Sequence, residues 1–175
     1  MLGCAAVPEI AIAKPAPAQF TSADFVRIAP PVDRGCIFGD AAKTATPAQK
    51  IDYCTTGIAE FERLRSKAAN PAEWAGLTYL IASYDFVRAG SYLKVDGARS
   101  ARVCASVERA YAMNAGIDPV LLDATMAETF MTSQAAIGRS AVVCRADFGT
   151  PAGAWDGQRC LPAAIRGRRP VPACA

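Results

Sequence analysis

Seven cysteines and not one histidine set the chemistry open to this chain of 175 residues. Without imidazole there can be no Ser-His-Asp triad, no Cys-His pair, and no haem or metal site ligated through histidine. Ser91-Tyr92-Leu93-Lys94 has the spacing S-x-x-K, in which a serine nucleophile lies one helical turn from an amine base. The companion K-T-G is missing, and Lys43-Thr44-Ala45 is its nearest approach. Gly35-Cys36-Ile37-Phe38-Gly39 lacks both the spacing and the lysine of a phosphate-cradling loop. Carboxylates are the remaining acid–base candidates: Asp85 beside an apolar stripe, then Glu108, Asp123 and Glu128. A lone inward carboxylate could serve as general acid on a cell-wall sugar, yet no motif surrounds any of these. Solvated helix faces and surface ion pairs account for them more simply. The sequence predicts no catalytic residue, no cofactor and no metal site.

The cysteines carry more information. No C-x-x-C pair occurs, and Cys36, Cys54, Cys104, Cys144, Cys160 and Cys174 are widely scattered. That pattern suits disulfide partners in an oxidising compartment better than a zinc site. The odd seventh, Cys4, stands in Leu2-Gly3-Cys4-Ala5. This resembles the end of a bacterial lipobox, whose cysteine is acylated, with the upstream segment missing as though the start were placed too late. The resemblance implies a lipid anchor at Cys4, and six cysteines are then left to pair.

These residues must be positioned by helices. Asn70-Pro71-Ala72-Glu73 is a helix start, with a side-chain cap, proline in the first turn and an acid three residues on. Trp74, Leu77, Leu80, Tyr84 and Val87 then recur every three or four residues, so this stretch predicts a central, widely apolar helix. It fades at Gly90 or Leu93. A preceding helix starts at Thr46-Pro47 and turns Ile51, Cys54, Ile58, Phe61 and Leu64 inward. A third begins at Asp96-Gly97, buries Val103, Cys104, Val107 and Tyr111, and ends at Asn114-Ala115-Gly116. Asp118-Pro119 caps a fourth, with Leu121, Leu122, Met126, Phe130 and Ile137 apolar; Gly138 ends it, or it continues to about Cys144.

The expected fold is all-α, a small antiparallel four-helix bundle over residues 36–146. Before it, residues 1–35 hold five prolines among alanines and predict an extended tether, with a short helical turn around Ser22 to Ile28 that begins at Thr21 or Ser22. After it, residues 147–175 predict an irregular, Arg-rich tail stapled by Cys160–Cys174. In such a bundle the first and third helices run parallel, which places Cys54 level with Cys104 and leaves Cys36 for Cys144. The longest apolar run, residues 76–83, is far too short to span a bilayer.

Charge is balanced over residues 1–150, and the net +3 belongs to residues 151–175. Arg166, Arg168 and Arg169 are therefore candidate contacts for a phosphate-rich membrane surface or an acidic protein partner. Nucleic acid is not an expected partner of a disulfide-bearing chain whose body is neutral. The sequence predicts a non-enzymatic accessory or structural subunit of a bacterial cell-envelope assembly. It would be periplasmic, or membrane-anchored facing the periplasm, and act through protein–protein interaction. A glycan-acting enzyme and a carrier of an apolar ligand lined by Trp74, Met126 and Phe130 are the alternatives.

Overall fold

The computed structural model describes residues 17–97 and 100–149. Cys4, Cys160, Cys174, Arg166, Arg168 and Arg169 lie outside these residues. The described chain is all-α: α1 (Ser22–Val32), α2 (Gly39–Thr44), α3 (Pro47–Arg65), α4 (Pro71–Asp96), α5 (Ala101–Ala115) and α6 (Ala124–Phe148), with a 3-10 turn at Pro119–Leu121.

Cap chemistry sets most of the boundaries. The Thr46 hydroxyl accepts from the Gln49 N–H, and the Gln49 side chain accepts in turn from the Thr46 N–H. Asn70 accepts from the Glu73 N–H at 2.9 Å ahead of Pro71. α4 runs past Gly90 to Asp96, and a β-carbon on Gly90 would meet only open space. α5 starts at Ala101 behind a Ser100 cap rather than at Asp96-Gly97. Asp118-Pro119 opens only the 3-10 turn; Asp123 caps α6, which continues through Gly138.

The extended tether expected over residues 1–35 gives way to helix from Ser22 onward. Thr21 and Asp24 form a capping box, and Pro30 and Pro31 fall in the last turn of α1. There, missing N–H donors leave only carbonyls near exposed Val26 and Arg27 without partners, and water can satisfy those. Phe20, just before this helix, is in the core. Its N–H donates to the Leu121 carbonyl at 2.7 Å, and its carbonyl accepts from the Asp123 N–H at 3.0 Å. The Asp123 carboxylate receives the Ser22 N–H at 2.6 Å and the Met126 N–H at 2.8 Å, so one side chain serves the starts of two helices.

Extensive packing runs in chain order: α3 on α4, α4 on α5, α5 on α6. Partners descend along α4 as they ascend along α3, Tyr84 lying by Gly57 and Trp74 by Arg65. A comparable α3–α6 seam, which would close four helices into a ring, does not occur among the described residues. Leu77, Leu80, Ile81 and Tyr84 of α4 are fully buried. Phe61 meets Tyr84 edge-on at 4.9 Å between centroids, and Phe130 meets Tyr79 at 5.8 Å. Two glycines let the Phe20 and Tyr84 rings lie directly on helix backbone. A β-carbon on Gly76 would stand 2.1 Å from the Phe20 ring, and one on Gly57 would stand 2.6 Å from Tyr84. Trp74, expected deep in the core, is half-buried at the edge of α4, with the Arg65 guanidinium 5.7 Å from its ring centroid.

The disulfides join Cys36 to Cys54 and Cys104 to Cys144, with Cα separations of 4.7 and 5.3 Å. The expected pairs Cys54–Cys104 and Cys36–Cys144 are overturned. Cys104 lies near the start of α5 and Cys144 near the end of α6, two ends that adjacent helices running in opposite directions bring together. Cys36 folds back onto α3 through the loop that precedes α2.

Candidate functional site

Two buried or half-buried carboxylate clusters and a groove stand out among the described residues. The first cluster centres on Asp85 of α4, which is 0% exposed. Its Oδ1 takes a short hydrogen bond from Arg88 one turn on. Arg109 of α5 brings Nε to 3.1 Å from Oδ2, off the hydrogen-bonding direction, so charge alone holds that oxygen. Arg109 also donates to Glu62 of α3 at 2.6 Å, and Arg88 donates to Thr55 of α3 at 3.2 Å. One carboxylate and two arginines thereby tie α3, α4 and α5 together.

Burial pushes the Asp85 carboxyl above its usual range, against the opposing pull of Arg109 and then Arg88. A raised carboxyl pKa is what a general acid needs. A general acid must also reach a substrate atom, and both Asp85 oxygens are sealed behind guanidinium groups. Asp85 is therefore a buried ionic tie, where the sequence suggested a solvated group or an acid. Glu108 is similarly committed, accepting two hydrogen bonds from Arg145 of α6 at 2.7 and 2.8 Å beside the Cys104–Cys144 bridge. Glu128 is exposed on the outer face of α6, and Asp123 is a helix cap. The structure does not bring these carboxylates into one site. Ser91 is buried and donates to the Val87 carbonyl, while Lys94 is exposed, so the S-x-x-K spacing builds no nucleophile. Met126 and Phe130 fill the core, apart from Trp74 at its edge.

Asp33 is the second cluster, and its role is not evident in the sequence. Its two oxygens accept the backbone N–H groups of Gly35, Cys36, Ile37 and Phe38 at 2.6–2.9 Å, and the Tyr84 hydroxyl at 2.8 Å. Aspartate directly ahead of Arg-Gly is the available sequence signal, since its carboxylate can gather the donors of the next turn. Burial raises the Asp33 carboxyl, but the hydrogen bonds from Tyr84, Phe38, Gly35 and Ile37 outweigh it and hold the group below its ordinary value. The contribution to stability is thus present above the unfolded carboxylate pKa of about 3.9 and is lost as pH falls through the lower folded value. Unfolding midpoints measured from pH 7 to pH 2 should drop along this limb, and Asp33→Asn should flatten it. An acid limb unchanged by Asp33→Asn would assign the effect to the other carboxylates held low, Asp24, Glu60, Asp96 and Asp123.

The groove lies between the end of α1 and α3. It is an open depression of about 640 Å³ lined by Pro31, Val32 and Arg34 from the end of α1 and the loop after it, and by Thr56, Ala59, Glu60 and Arg63 of α3. Arg63 is already forked onto Glu60 at 2.6 and 2.8 Å. Among the described residues, no group of three or more Cys, Asp or Glu is placed to hold a metal ion, and no helix is long and apolar enough to cross a membrane. The two disulfides indicate an oxidising, extracytoplasmic compartment. Compared with known proteins, the chain matches no family model, no curated protein and no solved structure.

Proposed function

We propose that this chain is a non-enzymatic accessory or structural subunit of a bacterial cell-envelope assembly. In this reading it is periplasmic, or anchored through an acylated Cys4 with its helical domain facing the periplasm. The carrying observation is the commitment of its polar side chains to scaffolding. Asp85, Arg88, Arg109, Glu108 and Arg145 join one helix to the next, and disulfides secure α3 and α6. A scaffold of this kind keeps its shape in an environment without reductant and presents helix faces to neighbours. Arg166, Arg168 and Arg169 then supply contacts to an acidic partner or an anionic membrane surface.

The test is purification from the native envelope in mild detergent, with labelled palmitate supplied during growth. Label on the wild-type chain that is lost in Cys4→Ala, together with a stoichiometric protein companion, is the expected result. Replacing Arg166, Arg168 and Arg169 with Ser should reduce envelope association and leave the melting temperature nearly unchanged, since exposed charges add little to stability. Recovery of the chain from the cytosol with reduced thiols, or without any companion, would sink the reading.

A further inference from the structure

We infer that the outer face of α6 is an interface between two copies of this chain, paired antiparallel about a two-fold axis. Because the helices pack in chain order, α6 rests on α5 by one side only. The opposite side exposes Met131 (54%), Val142 (68%) and Val143 (63%). Ala124, Ala135 and Ala146 are exposed on the same side. Positions 124, 128, 131, 135, 139, 142 and 146 recur every three or four residues and form one continuous stripe along the helix. At the other end of the array, α1 packs against α3, so that side of the molecule already has a cover.

The stripe carries two charges, Glu128 and Arg139, both exposed. Neither forms an ion pair among the described residues, whereas the neighbouring Arg145 is taken up by Glu108. Eleven residues separate them, about 16 Å along the axis and only about 20° around it, so they share one flank of the stripe. In an antiparallel pair like flanks meet. A two-fold axis crossing α6 between residues 133 and 134 sets each Glu128 opposite Arg139 of the second copy. The same operation brings Ala124 and Thr125 level with Val143 and Val142 of the second copy. Both lone charges are then matched, twice over, and the exposed apolar groups are covered. A parallel pair in register would instead bring unlike flanks together and leave Glu128 and Arg139 unmatched. The self-complementary order of charges is the signature of an isologous contact, and it selects a second copy over an unrelated helix. The three alanines allow the two axes to approach near the short end of the 8–10 Å range.

A single helix pair falls at the small end of specific interfaces, below about 1,200 Å², so a micromolar dimer is expected. Sedimentation velocity on the full chain, from low micromolar to near-millimolar concentration, should show a reversible monomer–dimer equilibrium. Arg139→Glu and Glu128→Arg should each weaken it about tenfold or more, because symmetry repeats every like-charge contact. The double variant Glu128→Arg/Arg139→Glu should restore it. Circular dichroism and melting temperature show that each variant is folded, as these exposed positions permit. A monomer at every concentration, as when another segment or partner covers the stripe, would overturn the proposal. So would a dimer indifferent to either single reversal, or a double variant that fails to recover.

Discussion

Asp85→Ala should lower the unfolding free energy by about 3–5 kcal/mol, as much as the truncation of a fully buried aromatic ring. The carboxylate is 0% exposed, and the Arg88 side chain facing it is 13% exposed. Truncation leaves that guanidinium desolvated with no counter-charge, and it also frees the Arg109 link between α4 and α5. The loss measures the orphaned charge more than the worth of the pair, because taking both ions out of water offsets most of their attraction. A paired replacement makes this visible. Asp85→Leu with Arg88→Met removes both charges at similar volume and should recover most of the stability. Urea unfolding at neutral pH is the measurement. A loss below about 1 kcal/mol for Asp85→Ala would mean that the cluster does not join the helices.

Asp85 also shows where sequence reasoning runs out. A charged residue beside an apolar stripe requires a partner, but the partner comes from the next helix, and no spacing rule names Arg109. The helix starts are legible because their signals are local: Thr46-Pro47 and Asn70-Pro71 cap and preset φ without reference to the rest of the fold. The start of α1 at Thr21-Ser22 is legible for the same reason, but its length is not, because Pro30 and Pro31 read as breakers unless they fall in a last turn with solvated carbonyls. Gly57 and Gly76 do carry a signal. Glycine inside a helical pattern often marks a close approach, and here two rings enter at those points. The expected disulfide pairing fails for a topological reason. A bridge between the first and third helices would have to cross the core on a diagonal, whereas antiparallel neighbours bring the start of one helix to the end of the next, in a closed ring as in chain-order packing.

Cys104→Ala with Cys144→Ala should cost about 4 kcal/mol, the chain-entropy value for a closure of 40 residues. Removing Cys36–Cys54, which spans 18 residues, should cost about 3 kcal/mol by the same relation. The two losses should differ in where they act. Cys104–Cys144 secures the far end of α6, whose packing lies chiefly on α5, with Arg145–Glu108 as its neighbouring tie. Amide exchange should therefore quicken first in α6 beyond Ile137, before global unfolding. Uniform exchange across all helices, or unchanged stability, would contradict this account of α6.

The stitch at Phe20 has a mechanical consequence. A pull on the chain ahead of residue 17 does not peel α1 away turn by turn. Tension enters at Phe20, whose ring is lodged against Gly76 in the middle of the fold. Its backbone is clasped to Leu121 and Asp123, a hundred residues further along the sequence. Traction applied from the N-terminal side is thus passed directly to α4 and to the root of α6, and the helices between are bypassed.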